Sequence, residues 1–382
     1  MADVKKLIAD TFKDIAEGIK SGSFAPRQKI VVTGLNSEHG EDNVISGAVE
    51  ACAYADVIYI GSQKHDKLKC VFADCEKEAH EKMEKLLEGE AAGAVTAHYP
   101  FPVGVSTVGR VTTPARGKEV YIASTTGTSA TDRVESMVKN ALYGIICAKS
   151  CGIENPTVGI LNIEGARQTE RALKELAQNG YPITFGSSVR QDGGCVLRGN
   201  DLLSGACDVI VADSLTGNIL IKLLSSFSTG GSYEAVGCGY GPGIGKGFDK
   251  LIMIISRASG SPVISGAINY AAQLVKGDYK KVAAKEFDSA EKAGLSKIIE
   301  KYRAKQSEQS GVKAAAAPQK ETVTEQISGV EITELDDAVS ALWAKGIYAQ
   351  SGMGCTGPII LVSKEKYAIA VEALKKEGRI GG

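Results

Sequence analysis

KIVVTG (29–34), GLNSEHGED (34–42), NVISGAVEACAYA (43–55) and DVIYIG (56–61) follow one another without interruption. The first and last are short apolar runs rich in β-branched residues. The third has apolar residues at helical spacing, and the second is a loop bounded by glycine. Strand, loop, helix and strand in that order make a βαβ unit with a right-handed crossover. Upstream, residues 3–20 have helical periodicity, with Leu7, Ile8, Phe12, Ile15 and Ile19 on one side. Downstream the alternation continues. AAGAVTA (91–97), EVYIAST (119–125), TVGILNI (157–163), CDVIVAD (207–213) and LIMIIS (251–256) read as strands. TDRVESMVKNALYGIICAKSCG (131–152), ARQTERALKELAQNG (166–180) and SGAINYAAQLVKG (265–277) read as helices. The expected fold is α/β, a mostly parallel sheet with helices on both faces.

The pattern changes near residue 303. AKQSEQSGVKAAAAPQKET (304–322) is polar, alanine-rich and without apolar periodicity, so it is either a linker or a helical spacer. Beyond it, VEITELDDAVSALWAKG (330–346) reads as a helix, SGMGCTGP (351–358) as a glycine-rich loop and IILVS (359–363) as a strand. KEKYAIAVEALKKEG (364–378) is the last helix. The expected organisation is an α/β domain over 1–303, a linker over 304–322 and a small α/β unit over 323–382.

Bulk properties narrow the function. The 382 residues carry a formal net charge of −1, with basic and acidic residues interspersed, which argues against a nucleic-acid partner. No apolar run approaches the roughly 18 residues that span a membrane. The nine cysteines are Cys52, Cys70, Cys75, Cys147, Cys151, Cys195, Cys207, Cys238 and Cys355. Their odd number, and an N-terminus without a signal-peptide pattern, point to reduced thiols in the cytoplasm. With four histidines and no CxxC spacing, a metal site is not expected. The 44 glycines imply many tight turns or close approaches.

Several segments could carry chemistry. Cys355 is flanked by Gly352, Gly354 and Gly357, so the backbone around its thiol is bare. It is either a reactive thiol open to a bulky thioester or a small apolar residue in a buried turn. STTGTSATDRV (124–134) offers the hydroxyls of Ser124, Thr125, Thr126, Thr128 and Ser129 ahead of a helix. They make either a phosphate cradle or ordinary helix caps. DSLTGNILIK (213–222) would bring Asp213, Thr216, Gly217, Asn218 and Lys222 to the carboxyl end of the sheet, where open α/β sheets take ligands. GCGYGPGIGKG (237–247) is no dinucleotide fingerprint, because it precedes a strand. SRASGSP (256–262) places Ser256 and Arg257 in a small-residue loop, where a guanidinium can grip phosphate.

These residues carry a family resemblance. GLNSEHGEDNVISGAVEA (34–51) with its Glu38–His39 pair, PTVGILNIEG (156–165) and CDVIVADSLTGNILIK (207–222) resemble phosphate acyltransferases. YGPGIGKGFDKLIMIISRAS (240–259) resembles phosphate acetyltransferase. The whole chain, with GMGCTGP (352–358), resembles the smaller, alpha, subunits of component C of glycine/sarcosine/betaine reductase. In those complexes a selenoprotein, component A, delivers a two-carbon unit that leaves as acetyl phosphate. The chain departs from the lipid enzymes at TAHYPFP (96–102), where they carry an AGNTG-type loop. It also has no acidic residue after Arg257, where Ser261, Pro262 and Val263 stand.

The resemblance implies an isocitrate/isopropylmalate dehydrogenase-like sheet and phosphorolysis of an acetyl thioester. Cys355 would hold the acetyl group, with Asn218 and His39 as further catalytic residues. Ser124, Thr125, Thr126, Thr128, Ser129, Ser256 and Arg257 would bind phosphate. Asp213, Thr216, Gly217, Lys222 and Gly354 would form the substrate loops. It implies no cofactor, with inorganic phosphate as substrate, the beta subunit of component C and component A as partners, and an oligomer. The alternatives are a lipid-type phosphate acyltransferase using acyl carrier protein, a non-catalytic scaffold subunit, and a dehydrogenase of the same fold.

Overall fold

The computed structural model describes residues 12, 15–16, 18–19, 27–189, 193–310, 316–330, 335–354, 357–377 and 379–380. Twelve strands form the main sheet: β1 (Lys29–Thr33), β2 (Asp56–Gly61), β3 (Lys69–Phe72), β4 (Gly93–Thr96), β5 (Val105–Thr112), β6 (Glu119–Thr128), β7 (Thr157–Leu161), β8 (Thr184–Phe185), β9 (Val196–Leu197), β10 (Val209–Val211), β11 (Gly241–Ile244) and β12 (Ile252–Ile254). Their order is β3-β2-β1-β4-β12-β11-β5-β6-β10-β7-β8, with β9 also on β7. β1 to β4 and β12 run parallel, as do β6 to β10. Between the two blocks, β11 and β5 each pair antiparallel with both of their neighbours, so the blocks point in opposite directions. The sheet is therefore mixed, though mostly parallel.

Both faces are covered. β-Branched runs such as Ile30, Val31 and Val32 are completely buried, as central strands between two helical layers require. α1 (Gly40–Ala51) and α2 (Glu76–Leu87) follow β1 and β3. α3 (Arg133–Ser150) is the long helix after β6, and α4 (Ala166–Gln178) follows β7. α5 (Gly199–Ser204) and α6 (Ser214–Ser226) flank β10, and α7 (Ser261–Lys276), α8 (Tyr279–Lys292) and α9 (Leu295–Ser310) follow β12. Among the described residues no helix is long and apolar enough to cross a membrane. The eight described cysteines are free thiols.

The C-terminal unit has its own sheet, β13 (Glu325–Ser328), β15 (Gly357–Val362) and β14 (Ala349–Gly354) in that order, all antiparallel. α10 (Leu335–Ala344) and α11 (Tyr367–Lys376) cover it, and Leu335, Leu342, Ile360, Val362 and Leu374 form a separate core. Each such side chain contributes about 1.5–3 kcal/mol on burial. Trp343 packs on that core and donates its indole N–H to the Ala349 carbonyl at 3.0 Å.

Several boundaries differ from expectation. β6 does not end at 125 but runs to Thr128, and α3 starts at Arg133 with Asp132 as its cap. GPGI (241–244) is a strand. SGMGCTGP is largely a hairpin, with β14 and β15 paired up to Gly354 opposite Gly357. Residues 304–310, read as the start of a linker, continue α9. The helix expected over 330–346 spans Leu335–Ala344. Within 3–20, Phe12, Ile15 and Ile19 are helical and exposed, while Leu7 and Ile8 lie outside the described residues.

Candidate active site

α6 is fixed from its first turn. Asp213 caps it, accepting from the Thr216 amide at 2.9 Å and the Thr216 hydroxyl at 2.8 Å, so these two side chains satisfy each other. Gly217 lets the helix touch β6: a Cβ there would lie 1.7 Å from the Ser124 carbonyl oxygen. That contact lets Asn218 donate to the Thr125 carbonyl at 3.2 Å. One turn on, Lys222 Nζ stands 3.4 Å from Glu234 Oε1 and 3.5 Å from Ser256 Oγ.

Glu234 is 1% exposed. Its carboxylate also accepts from Tyr240 at 2.9 Å and from Ser259 at 2.9 Å. A buried carboxylate is tolerable when donors replace its water, and here three do. The hub ties the loop after β12 to α6 and to the start of β11.

Above it opens a cavity of about 270 Å³, lined by Ala97, His98, Tyr99, Thr126, Asn218, Lys222, Tyr240, Ile254, Ile255 and Ser256. It lies at the carboxyl ends of β4 and β12. One cation, one amide, four hydroxyls (two of them phenolic) and an imidazole line it, beside an apolar floor. That volume is below the usual range for drug-sized ligands and suits a small anion with a short acyl group.

The Tyr99 hydroxyl donates to Glu84 at 2.5 Å. Burial and that carboxylate push the Tyr99 phenol well above its ordinary range, and burial beside Glu234 does the same to Tyr240. His98 is different. Its Nε2 is buried and has no hydrogen-bond partner. Burial lowers its pKa below 6.5, Glu76 opposes, and His80 and Arg257 lower it further.

The other anticipated residues fall as follows. Thr126 lines the cavity, but its neighbours turn inward. Ser124 donates to the Thr126 carbonyl at 3.1 Å, Thr125 to the Tyr240 carbonyl at 2.6 Å, and Ser129 to Asn140 Oδ1 at 2.7 Å. Thr128 donates to Met353 Sδ at 3.5 Å. Ser256 is in the cavity wall. The Arg257 side chain is exposed outside that wall, with no ion pair to a described residue, and its carbonyl accepts the Glu38 amide at 2.8 Å. His39 is exposed, its ring edge-on to Tyr233 at 5.9 Å. Gly354 ends β14, and Cys355 lies outside the described residues.

Sequence reasoning missed His98, Tyr240 and Glu234. The one available signal was the departure TAHYPFP, which puts a histidine directly after a buried strand. As to metals, among the described residues one group, Asp74, Cys75 and Glu78, brings potential ligand atoms together. It lies away from the cavity lining, and Glu78 is paired with Lys82 at 2.6 Å.

A family profile described as "Fatty acid synthesis protein" matches residues 28–361. The chain belongs to that family. The chain is 24% identical over 241 residues to a phosphate acyltransferase of Geobacillus thermodenitrificans, covering 51% of this chain and 70% of the relative. It is 56% identical over 382 residues, 99% of both chains, to the glycine/sarcosine/betaine reductase complex component C subunit alpha of Peptoclostridium acidaminophilum. Among solved structures, a candidate 4-hydroxythreonine-4-phosphate dehydrogenase from Salmonella typhimurium aligns with TM-score 0.38 and 13% identity over 65% of this chain and 99% of the other. A likeness that loose carries no argument.

Proposed function

We propose that this chain is the acyl-transferring alpha subunit of a glycine reductase-type component C and releases an acetyl group, held as a thioester on Cys355, to inorganic phosphate. The observation that carries the reading is the Thr128–Met353 contact. It seats the β14–β15 hairpin, whose connection contains Cys355, against β6, the strand that contributes Thr126 to the cavity. Phosphate would rest on Lys222, Asn218, Thr126 and Ser256, with Arg257 at the rim. A phosphate oxygen attacks the thioester carbonyl, the C–S bond breaks and the Cys355 thiolate leaves. Positioning and charge stabilisation account for most of the acceleration, since phosphate is already a nucleophile. The reading needs no cofactor. It implies a component C beta subunit and a component A selenoprotein as partners, in a cytoplasmic oligomer with a dehydrogenase-like sheet.

The test is isotope exchange. If acetyl phosphate acylates Cys355 reversibly, the full-length chain moves radiolabelled phosphate into acetyl phosphate. Cys355→Ser should fold normally, take up no hydroxylamine-labile acetyl group and lose the exchange. Exchange surviving at the wild-type rate in the variant would favour a lipid-type enzyme that uses an external acyl carrier. No exchange in either chain would favour a scaffold.

A further inference from the structure

Thr96 closes β4, and the chain then runs through Ala97, His98 and Tyr99, all three in the cavity wall. Four ionisable side chains line that cavity. The Tyr99 hydroxyl is given to Glu84 and the Tyr240 hydroxyl to Glu234, and Lys222 is paired with Glu234. Each of these three is bonded to a carboxylate. His98 alone among the four is not bonded to one: its Nε2 is shut off from solvent and has no partner. Buried ring nitrogens are nearly always satisfied, and an exception in a site wall calls for a chemical reason. His98 also borders a second groove on its other side, lined by Glu76, His80 and Glu84 of α2 among others. The charged groups acting on the ring are Glu76 and His80 from α2 and Arg257 from the loop after β12, while Glu84 shares the groove and Lys222 of α6 shares the cavity wall.

We infer that His98 is the proton carrier of the acyl transfer proposed above. The inference rests on that reading. As the phosphate oxygen attacks the thioester carbonyl, the imidazole, turned so that an unpartnered nitrogen meets the cavity, takes the phosphate proton and then gives it to the departing Cys355 thiolate. Monohydrogen phosphate and the thioester become acyl phosphate and free thiol. One C–O bond forms, one C–S bond breaks, and one proton passes from oxygen to nitrogen to sulfur, with no change of oxidation state. Burial, His80 and Arg257 hold the ring neutral near pH 7 against the pull of Glu76, so it can accept.

The experiment is phosphate exchange into acetyl phosphate by the full-length chain, measured against pH and phosphate concentration in wild type, His98→Gln and His98→Asn. The expected result is a maximal rate lowered about a hundredfold or more, as for loss of a positioned acid–base group. Half-saturating phosphate should be unchanged. The wild-type rate should fall as pH drops through the imidazole ionisation, below phosphate's own, and the variants should lack that limb. A wild-type profile without it overturns the proposal with no variant needed. An unchanged maximal rate overturns it too. A raised phosphate requirement at unchanged maximal rate reduces His98 to an anion contact and overturns it as well. Absence of exchange in the wild type sinks the acyl-transfer reading, and the role of His98 with it.

Discussion

Lys222 Nζ lies 3.4 Å from the buried Oε1 of Glu234, so a half-exposed cation sits at the cavity wall with its counter-charge sealed behind it. Tyr240 and Ser259 already satisfy the carboxylate, which leaves the ammonium able to share its remaining protons with an anion in the cavity. Lys222→Met should therefore cost one charged hydrogen bond to phosphate, about 1.5–3 kcal/mol. That is a rise of about tenfold or more in half-saturating phosphate. Acetylation of Cys355 by another donor should be unaffected. Phosphate titration of the exchange rate checks this, and an unchanged phosphate dependence would move the anion site elsewhere.

Gly217→Ala tests whether α6 is held by backbone contact. Alanine in an exposed helix normally gains about 1 kcal/mol over glycine. Here the new methyl would sit 1.7 Å from the Ser124 carbonyl oxygen, a backbone atom that cannot swing aside. The clash should win, with a net loss of about 3 kcal/mol and a displaced Asn218. Gly199→Ala, where a Cβ meets nothing within 4 Å, is the control and should be near neutral. Denaturant melts that rank the two variants equally would refute the argument.

The C-terminal unit is clasped to the body by polar contacts. Arg303 reaches Glu135 at 3.0 Å and Asp336 at 3.3 Å, and Thr131 donates to the same Asp336 carboxylate. Exposed pairs of this kind are worth on the order of 1 kcal/mol, a factor of about five in population. Limited proteolysis of the wild type is expected to cut first between Lys305 and Lys320. Arg303→Ala should speed that cut severalfold and slow exchange, because the hairpin spends less time against β6. Equal cleavage rates in the two chains would rule out the clasp.

Asp208 predicts a pH dependence. Burial raises its pKa, but the Thr157 hydroxyl at 2.6 Å, the Thr157 amide at 2.8 Å and Lys118 at 3.0 Å outweigh that, and the net shift is downward. A depressed folded pKa gives stability that is present above the unfolded value of about 3.9 and lost as pH falls through the folded one. The stability gap between wild type and Asp208→Asn should thus be widest above that value and shrink in acid. A gap constant down to strongly acid pH would contradict this.

The βαβ start was legible because Ile30–Val32 and Val57–Ile60 are apolar runs bounded by polar or glycine residues. The end of β6 was not. STTGTS has the composition of a cap or loop, yet Thr125 pairs with Thr107 at 2.6 Å and Ser129 with Asn140, long-range satisfactions that local pattern does not encode. β11 was hidden for a related reason, since glycines and a proline form a strand there only because β5 and β12 pair with it on both sides. Asn218 and Lys222 were legible from the TGN segment. Glu234 and His98 belong to no motif, and they approach the cavity only where β11, β4 and α6 converge. His39 and Arg257 were chosen by motif, and both side chains are exposed and outside the cavity lining.

The placement of Trp343 has an optical consequence. It is the single tryptophan of the chain, and it sits half-buried on the core of the C-terminal unit. Excited at the indole band, the protein emits from that unit alone, while far-ultraviolet dichroism is dominated by the larger body. The two signals can therefore be followed against temperature or denaturant in one cuvette, and any divergence between them reports how independently the Cys355-bearing unit melts, with no label attached.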